Sequence, residues 1–274
     1  MRISQAVTAM DGRVIARKGD RIDTGFVNRL PKPSARDIDL LETIGESQHF
    51  YSLKMLLQKP KYRCISDLDQ KKSSLLEIIA SIRLNGLLMK ELNWLERYGY
   101  HYDHTLAVTA LVACMCMDYY ENERNVIEAV SCALTYDIGM MRVPEEIFLK
   151  VSALTTEERK IIDEHPIYSH LLLGYYGFGD SSLNAEVALE HHEDLTGKGY
   201  PRGIPPKHRI SQMVQMADIF DALITTRPYR PSKSPETALA IIAQQEERGQ
   251  VSSEVYSLLA SRIRPGSSMQ LETS

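Results

Sequence analysis

The sequence predicts an all-α fold with a small N-terminal α+β accessory domain. Beyond residue 75 apolar residues recur with a helical period almost throughout, whereas before it they form short pieces interrupted at residues 31–34 and 58–61. A composition of 43% hydrophobic and 25% charged residues is that of an ordinary globular protein, so the helices are expected to pack around a core. We predict an accessory domain at 1–75, a helical domain at 76–265 and a loose polar tail at 266–274.

The N-terminal part contains one hairpin signal. Two short apolar–polar pieces within residues 14–22 flank the turn Lys18-Gly19-Asp20, which favours a pair of strands joined at Gly19. The helical series begins at Ile78, continues through Leu95 and resumes from Leu106 to Cys116. The stretch 106–117 is the most apolar of the chain but is too short to span a bilayer, so it predicts a buried helix.

The later helices are predicted from their ends. Thr155 followed by Glu158 is a capping-box pattern, and Pro166 predicts a bend or helix boundary at His165. Ser234-Pro235 is a good N-cap and first-turn pair for a helix at 235–247. Two further helices are predicted at 211–224 and 251–263.

Charge and cysteine content narrow the function classes. A net charge of −4 gives no electrostatic footprint for a nucleic-acid polymer or an anionic membrane, and the N-terminus has no signal-peptide run. The four cysteines are Cys64, Cys114, Cys116 and Cys132, and none belongs to a C-x-x-C pair. The last three lie in apolar helical patterns, where a free cysteine acts as a small hydrophobic residue. Both observations favour a reducing cytoplasmic location over a zinc or disulfide scaffold.

Two adjacent histidines, His191 and His192, are the most informative feature of the chain. Buried imidazoles need partners for both ring nitrogens, and metal ions supply them. A surface histidine pair is the simpler alternative. The pair is followed by a loop that favours close backbone approach to a ligand and a stiff turn: Gly197, Gly199, Tyr200 and Pro201.

Further candidate ligands are scattered over separate helical segments: His104, Asp137, His165, Asp218 and, less convincingly, His170. Taken singly, His104 could be a core or surface histidine, and His165 a residue that merely precedes a proline. Asp137 has apolar neighbours, among which an unpaired carboxylate is costly. Asp218 and Asp221 share a helix face and repel unless a cation or an arginine lies between them. Together these residues favour a di-metal site built between helices, and a mixed His and carboxylate set suits iron, manganese or zinc.

Over about residues 85–265 the chain resembles the HD-GYP domain family. The resemblance implies an HD-superfamily helical bundle that hydrolyses cyclic di-GMP at a bi- or trinuclear centre, usually of iron or manganese. The N-terminal part resembles the variable regulatory segment of such proteins. The matching segments, in order, are Tyr136-Asp137-Ile138-Gly139, Val143-Pro144-Glu145-Glu146-Ile147, Leu154-Thr155-Thr156-Glu157-Glu158, His165-Pro166, His191-His192-Glu193, Gly197-Lys198-Gly199-Tyr200-Pro201, Ala217-Asp218-Ile219-Phe220-Asp221-Ala222-Leu223 and Arg227-Pro228-Tyr229-Arg230.

The resemblance assigns a role to each candidate residue. Asp137 matches the bridging aspartate, and Arg227 and Arg230 match basic residues near the substrate phosphates, for which guanidinium forks are suited. The resemblance also implies that one loop shapes the mouth of the substrate pocket, with residues Gly197, Gly199, Tyr200 and Pro201. The other metal ligands are His104, His165, His191, His192 and Asp218.

The chain also departs from the family pattern. Tyr136 replaces the histidine of the name-giving His-Asp pair, Met140 a lysine, and Thr196 an aspartate. Tyr100 stands where a glutamate would support a third metal, so two ions are expected, iron first and manganese second. A Tyr136 phenolate is a possible ligand for ferric iron.

Two hypotheses follow. The chain is either a working cyclic di-GMP phosphodiesterase with an altered binuclear centre, or a degenerate module that binds metal and cyclic di-GMP or a partner protein with little turnover. Another nucleotide phosphohydrolase of the HD superfamily is a third option. Cyclic di-GMP and, through the glycine loop, other signalling proteins are the expected partners, and neither a nucleic-acid polymer nor a membrane is.

Overall fold

Helices form most of the structure, a computed structural model that describes residues 1–62, 69–179, 181–226 and 231–263. The described α-helices, numbered along the chain, are α1 Ala35–Ile38, α2 Gln48–Leu56, α3 Asp69–Ser81, α4 Gly86–Leu95, α5 Gly99–Tyr119, α6 Glu123–Thr135, α7 Glu145–Phe148, α8 Thr156–Ile162, α9 His165–Leu173, α10 Leu183–Glu190, α11 Arg209–Ile224, α12 Pro235–Glu247 and α13 Ser253–Arg262. Shorter helical turns include Pro60–Tyr62 and Ile138–Arg142.

The predicted hairpin around Gly19 is wrong in its pairing. Strand β2 (Val14–Ala16) pairs with β1 (Val7–Thr8), which precedes it. The Gly19 turn instead brings the chain back beside Ile3, whose carbonyl accepts a 2.8 Å hydrogen bond from the Gly19 N–H. The local turn signal was correct, but the choice of strand partner depends on the whole N-terminal segment and not on the turn alone.

A second short sheet interrupts the helical series predicted from Ile78 to Leu95. Strand β4 (Arg83–Asn85) separates α3 from α4 and pairs antiparallel with β3 (Leu41–Thr43). The Asn85 side chain caps α4 by accepting hydrogen bonds of 3.1 Å from the N–H groups of Leu87 and Leu88. The apolar pattern runs unbroken through the strand, so periodicity alone could not reveal the break.

The long helix α5 lies at the centre of the molecule. It packs against α6, α11 and α13, and the predicted buried stretch 106–117 is buried except for Met117, which is partly exposed. One continuous set of buried apolar residues extends from Ile3 to Ile263. The division near residue 75 stays a prediction. None of the described helices combines the length and the apolar composition that a bilayer span requires.

The helix ends that position the candidate ligands follow the predicted signals. Thr155 and Glu158 form the capping box at the start of α8, and α9 begins at His165, directly before Pro166. Helix α12 has the predicted bounds, while α11 begins two residues earlier than predicted, at Arg209. Cys64 and the tail 266–274 lie outside the described residues.

Candidate metal centre

The predicted ligands come from separate helices and meet in two groups. His104 lies on α5 and Asp218 on α11, and their Nε2 and Oδ1 atoms are 2.8 Å apart. His165 begins α9, and its Nε2 atom lies 3.3 Å from Oδ1 of Asp137, the residue at the start of the turn after α6. His191 and His192 follow α10 and join His165, with ligand atoms within 4.8 Å of one another.

The tautomers of His165 and His191 are fixed by backbone carbonyls. The Nδ1–H of His165 donates to the Ile162 carbonyl at 2.7 Å, and that of His191 donates to the Ala188 carbonyl at 2.8 Å. In neutral imidazoles this leaves a lone pair on each Nε2 atom. The two Nε2 atoms are 3.1 Å apart, so two acceptors face each other without a proton between them.

These histidines have pKa values that keep them neutral. Burial lowers the pKa of His165 to about 3, and the neighbouring His191 adds to this effect. Burial likewise lowers the pKa of His191 to about 4 and that of His192 well below its usual value. Three neutral imidazoles in contact therefore offer lone pairs to a common point, which is the arrangement that a metal cation requires.

Asp137 adds a carboxylate to the same point. Its Oδ1 atom is buried and has no hydrogen-bond partner among the described residues. Its neighbour, the Nε2 atom of His165, carries a lone pair and cannot donate to it. Burial, reinforced by Asp218 and opposed by His104, raises the Asp137 pKa well above its usual value. A cation would remove this cost, so the donor set fits a metal ion.

The second group is organised by Asp221, which the sequence analysis paired with Asp218 but to which it assigned no role of its own. The His104 ring lies between the two aspartates of α11, with Nδ1 2.6 Å from Oδ2 of Asp221 and Nε2 beside Asp218. Burial alone would lower the His104 pKa, but the hydrogen bonds to both carboxylates raise it to about 10. The His104 ring therefore occupies the position between Asp218 and Asp221 where a partner for both carboxylates was expected. Asp221 orients the ring, as carboxylates beside metal-binding histidines commonly do.

Tyr136 lies where the two groups meet. Its side chain is fully buried, its hydroxyl donates to Oδ1 of Asp218 at 3.0 Å, and it is 3.4 Å from Nε2 of His104. Its ring packs edge-on against His191, with centroids 4.9 Å apart. Burial and the nearby carboxylates, first Asp218, raise the Tyr136 pKa well above its usual value. Without a cation the phenol is neutral and acts as a donor.

The glycine loop is held in place by Glu193, another residue that the sequence did not single out. Its fully buried carboxylate accepts hydrogen bonds from the backbone N–H groups of Arg202, Gly203 and Ile204 at 2.6 to 3.2 Å. A carboxylate directly after the histidine pair was the available signal. The bonds tie the far end of the loop to the segment that carries His191 and His192.

Gly199 and Tyr200 pack against the histidine pair. A Cβ atom on Gly199 would lie 2.3 Å from the His192 carbonyl oxygen, so glycine is required here by the close approach of the chain to itself. The Tyr200 ring stacks on His192, with centroids 4.6 Å apart and an interplanar angle of 23°. Gly197 has a φ of 70°, and Pro201 is partly exposed beside it in the same loop. Tyr200 is thereby placed at the edge of the histidine group.

Met140 and His170 lie outside the cluster, and Tyr100 lies beside it. Met140 is partly buried against the apolar core, and Tyr100 stacks on His104 with centroids 6.0 Å apart. His170 points to the Ala185 carbonyl at 3.1 Å, as a core histidine does. Arg227 and Arg230 lie outside the described residues.

Comparisons with known proteins identify the family of the chain. Residues 76–255 match the family described as HD domain. The chain belongs to the HD domain family. Together with the relatives below, this match confirms the prediction from the motifs that it is an HD domain of the HD-GYP group.

Several relatives have printed names that state an activity. The chain is 35% identical over 133 residues to "Cyclic di-GMP phosphodiesterase response regulator RpfG" of Xanthomonas campestris, covering 47% of the chain and 34% of that relative. It is 36% identical over 137 residues to "Cyclic di-GMP phosphodiesterase" of Thermotoga maritima, covering 49% and 37%. "3'3'-cGAMP-specific phosphodiesterase 1" of Vibrio cholerae is 36% identical over 128 residues, covering 46% and 29%. The matches thus span about a third of the length of these relatives.

A solved structure resembles almost the full length of this chain in its fold. "Bd1817, a HDG"Y"P protein from Bdellovibrio bacteriovorus" aligns with a TM-score of 0.50 at 14% identity, covering 95% of this chain and 94% of that one. The likeness concerns the fold, and with the family match it confirms the predicted all-α HD-superfamily architecture.

Proposed function

We propose that this HD domain protein hydrolyses a cyclic dinucleotide, in the first place cyclic di-GMP, at a binuclear metal centre. The observation that carries the proposal is the convergence of three acceptor groups: the Nε2 lone pairs of His165 and His191 face each other, and the buried Oδ1 atom of Asp137 beside them has no hydrogen-bond partner among the described residues. Relatives named as cyclic di-GMP phosphodiesterases support this substrate class. The messenger is intracellular, so the cytoplasm is the proposed location.

Two ions would be held by the two groups of ligands. His165, His191 and His192 would hold one, His104 and Asp218 the other, and Asp137 would contribute to both. The mixed imidazole and carboxylate set suits iron first and manganese second. Metal ions bound there would supply Lewis acidity towards the phosphodiester and lower the pKa of water towards ~7.

The remaining residues of the site would bind and orient the dinucleotide. The Tyr200 ring, fixed by stacking on His192, would limit the pocket mouth and hold the substrate against the histidine group. Arg227 and Arg230 would bind the phosphates through their guanidinium groups. Gly197, Gly199 and Pro201 would shape the loop, whose exposed residue Ile204 offers a contact for signalling partners.

Tyr136 favours a second candidate function. Its neutral hydroxyl occupies the space beside Asp218 and His104 where an imidazole ligand stands in the family pattern. Loss of even an outer partner of a metal site commonly costs ~10- to 100-fold in affinity or activity. The alternative is therefore a module that binds cyclic di-GMP, or a partner protein, and turns the nucleotide over slowly or not at all.

A turnover assay separates these functions. Protein produced with added iron or manganese would be incubated with cyclic di-GMP and, in parallel, with 3'3'-cGAMP, and the linear dinucleotide and mononucleotide measured. We expect turnover in the parent protein and at least ~100-fold less in Asp137→Ala, since loss of a ligand shared by both ions costs more than loss of an outer partner. Turnover of the parent protein no higher than that of Asp137→Ala would overturn the enzyme proposal. Saturable binding without turnover would support the module instead.

A further inference from the structure

A tyrosine of the N-terminal accessory segment reaches the candidate metal centre. Tyr62 ends the turn Pro60–Tyr62, and its side chain is 1% exposed. Its hydroxyl donates to Oδ1 of Asp221 at 2.7 Å. The other carboxylate oxygen of Asp221 accepts from Nδ1 of His104 at 2.6 Å. A single carboxylate therefore joins the accessory segment to a proposed metal ligand.

The Asp221 carboxylate is held by a small set of groups among the described residues. The side chain is fully buried, and its partners in that part of the chain are the His104 ring and the hydroxyls of Tyr62 at 2.7 Å and Thr225 at 3.3 Å. The Tyr62 bond is the shorter of these two hydroxyl bonds, and its length is typical of a strong O–H···O hydrogen bond. Because the direction of the Asp221 oxygens sets the rotation of the His104 ring, removing the Tyr62 hydroxyl loosens that rotation.

Two neighbouring lysines attach the turn that carries Tyr62 to the helices of the site. Lys61 donates to the Thr225 hydroxyl at 2.8 Å, at the end of α11, and its ammonium lies 4.6 Å from the centre of the Tyr62 ring. Lys59 forms an ion pair of 2.6 Å with Asp103, the residue before His104. The Tyr62 hydroxyl thus comes from a docked turn and not from a freely rotating side chain.

We propose that Tyr62 is a positioning residue that fixes the His104 ring through Asp221, so that metal binding depends on the docking of the accessory segment. The proposal rests on the proposed function only in naming the bound group as a metal. The hydrogen-bonded chain from Tyr62 to His104 consists of protein groups alone, so it can be tested separately in apo protein.

The first test observes His104 without metal. In apo protein with ¹⁵N-labelled histidine, the Nδ1–H proton bonded to Asp221 is expected far downfield, and its assignment follows from its loss in His104→Gln. Tyr62→Phe removes only the hydroxyl and is expected to shift this resonance and to speed its exchange with water. The matched control is Tyr176→Phe, since Tyr176 is equally buried and its hydroxyl bonds to Glu91 and to the Met10 N–H, away from the metal ligands.

The second test measures Mn²⁺ or Co²⁺ affinity of the same variants. Tyr62→Phe is expected to weaken binding on the order of 10-fold and to alter the visible Co²⁺ spectrum, as for other outer partners of metal ligands. Tyr176→Phe is expected to leave both unchanged. In an Asp221→Asn background the Tyr62→Phe effect should vanish, because the coupling runs through Asp221.

The outcomes are distinct. An unchanged His104 resonance in Tyr62→Phe, an equal change in Tyr176→Phe, or a full additional loss in the Asp221→Asn background would each overturn the positioning role. If the parent protein binds no metal but its His104 resonance responds to Tyr62→Phe alone, the positioning role stands and the proposed metal function fails.

Discussion

Gly139→Ala is expected to destabilise the protein by about 3 kcal/mol, because the added methyl has no room and the surrounding atoms are backbone. A Cβ atom on Gly139 would lie 2.3 Å from the His165 carbonyl oxygen and 2.4 Å from the Ser169 nitrogen. The Gly139 N–H also donates to the Ser169 hydroxyl at 2.8 Å. To relieve the clash, the turn after Asp137 must move away from the helix that begins with His165.

Urea unfolding followed by circular dichroism would measure the change, together with the metal content of the purified variant. The matched control is Gly86→Ala, where the nearest atom, the Asp37 carbonyl oxygen, is at 3.4 Å and the helix favours alanine. We expect the control to stay within about 1 kcal/mol of the parent. A Gly139→Ala protein with the stability and metal content of the parent would show that Asp137 and His165 are not held together by this contact.

Tyr136→His is expected to strengthen metal binding and to raise turnover of cyclic di-GMP, each on the order of 10-fold or more. The substitution replaces a neutral phenol, which donates to Asp218 at 3.0 Å, with an imidazole that has a lone pair to offer. The Tyr136 side chain already contacts His104, Asp218 and the ring of His191. Isothermal titration with Mn²⁺ and the phosphodiesterase assay would measure the two effects.

Tyr136→Phe is the control for this substitution. It keeps the ring against His191 and removes only the hydroxyl, so it should not reproduce the gain of the histidine variant. If the parent instead uses a Tyr136 phenolate as a ligand of ferric iron, the iron-loaded parent will show a visible charge-transfer band that Tyr136→Phe lacks. Weaker metal binding in Tyr136→His than in the parent would contradict the view that an imidazole is what this position has lost.

The sequence predicted most of the residues that come together in the candidate site. It did not predict the contacts that hold these residues in place. The motif order placed His104, His165 and the histidine pair on separate helices, and the structure brings them to two adjoining groups. Capping signals at Thr155 and Pro166 located helix ends because such signals act over a few residues. The metal roles of these residues stay predictions until an ion is observed.

The supporting contacts could not be predicted, because they join residues far apart in the chain. Asp221 is 117 residues from His104, and Tyr62 is 159 residues from Asp221. No local pattern specifies such pairs. Strand β4 was missed for a different reason, since its buried residue Leu84 continues the apolar period of the flanking helices.

Anomalous diffraction from crystals of the iron- or manganese-loaded protein tests the central claim most directly. We expect two peaks, one among His165, His191 and His192 and the other beside His104 and Asp218, both next to Asp137. In Asp137→Ala crystals at least one of the two peaks should be lost. A parent protein with a single peak, with none, or with peaks away from these residues would contradict a binuclear centre at this site.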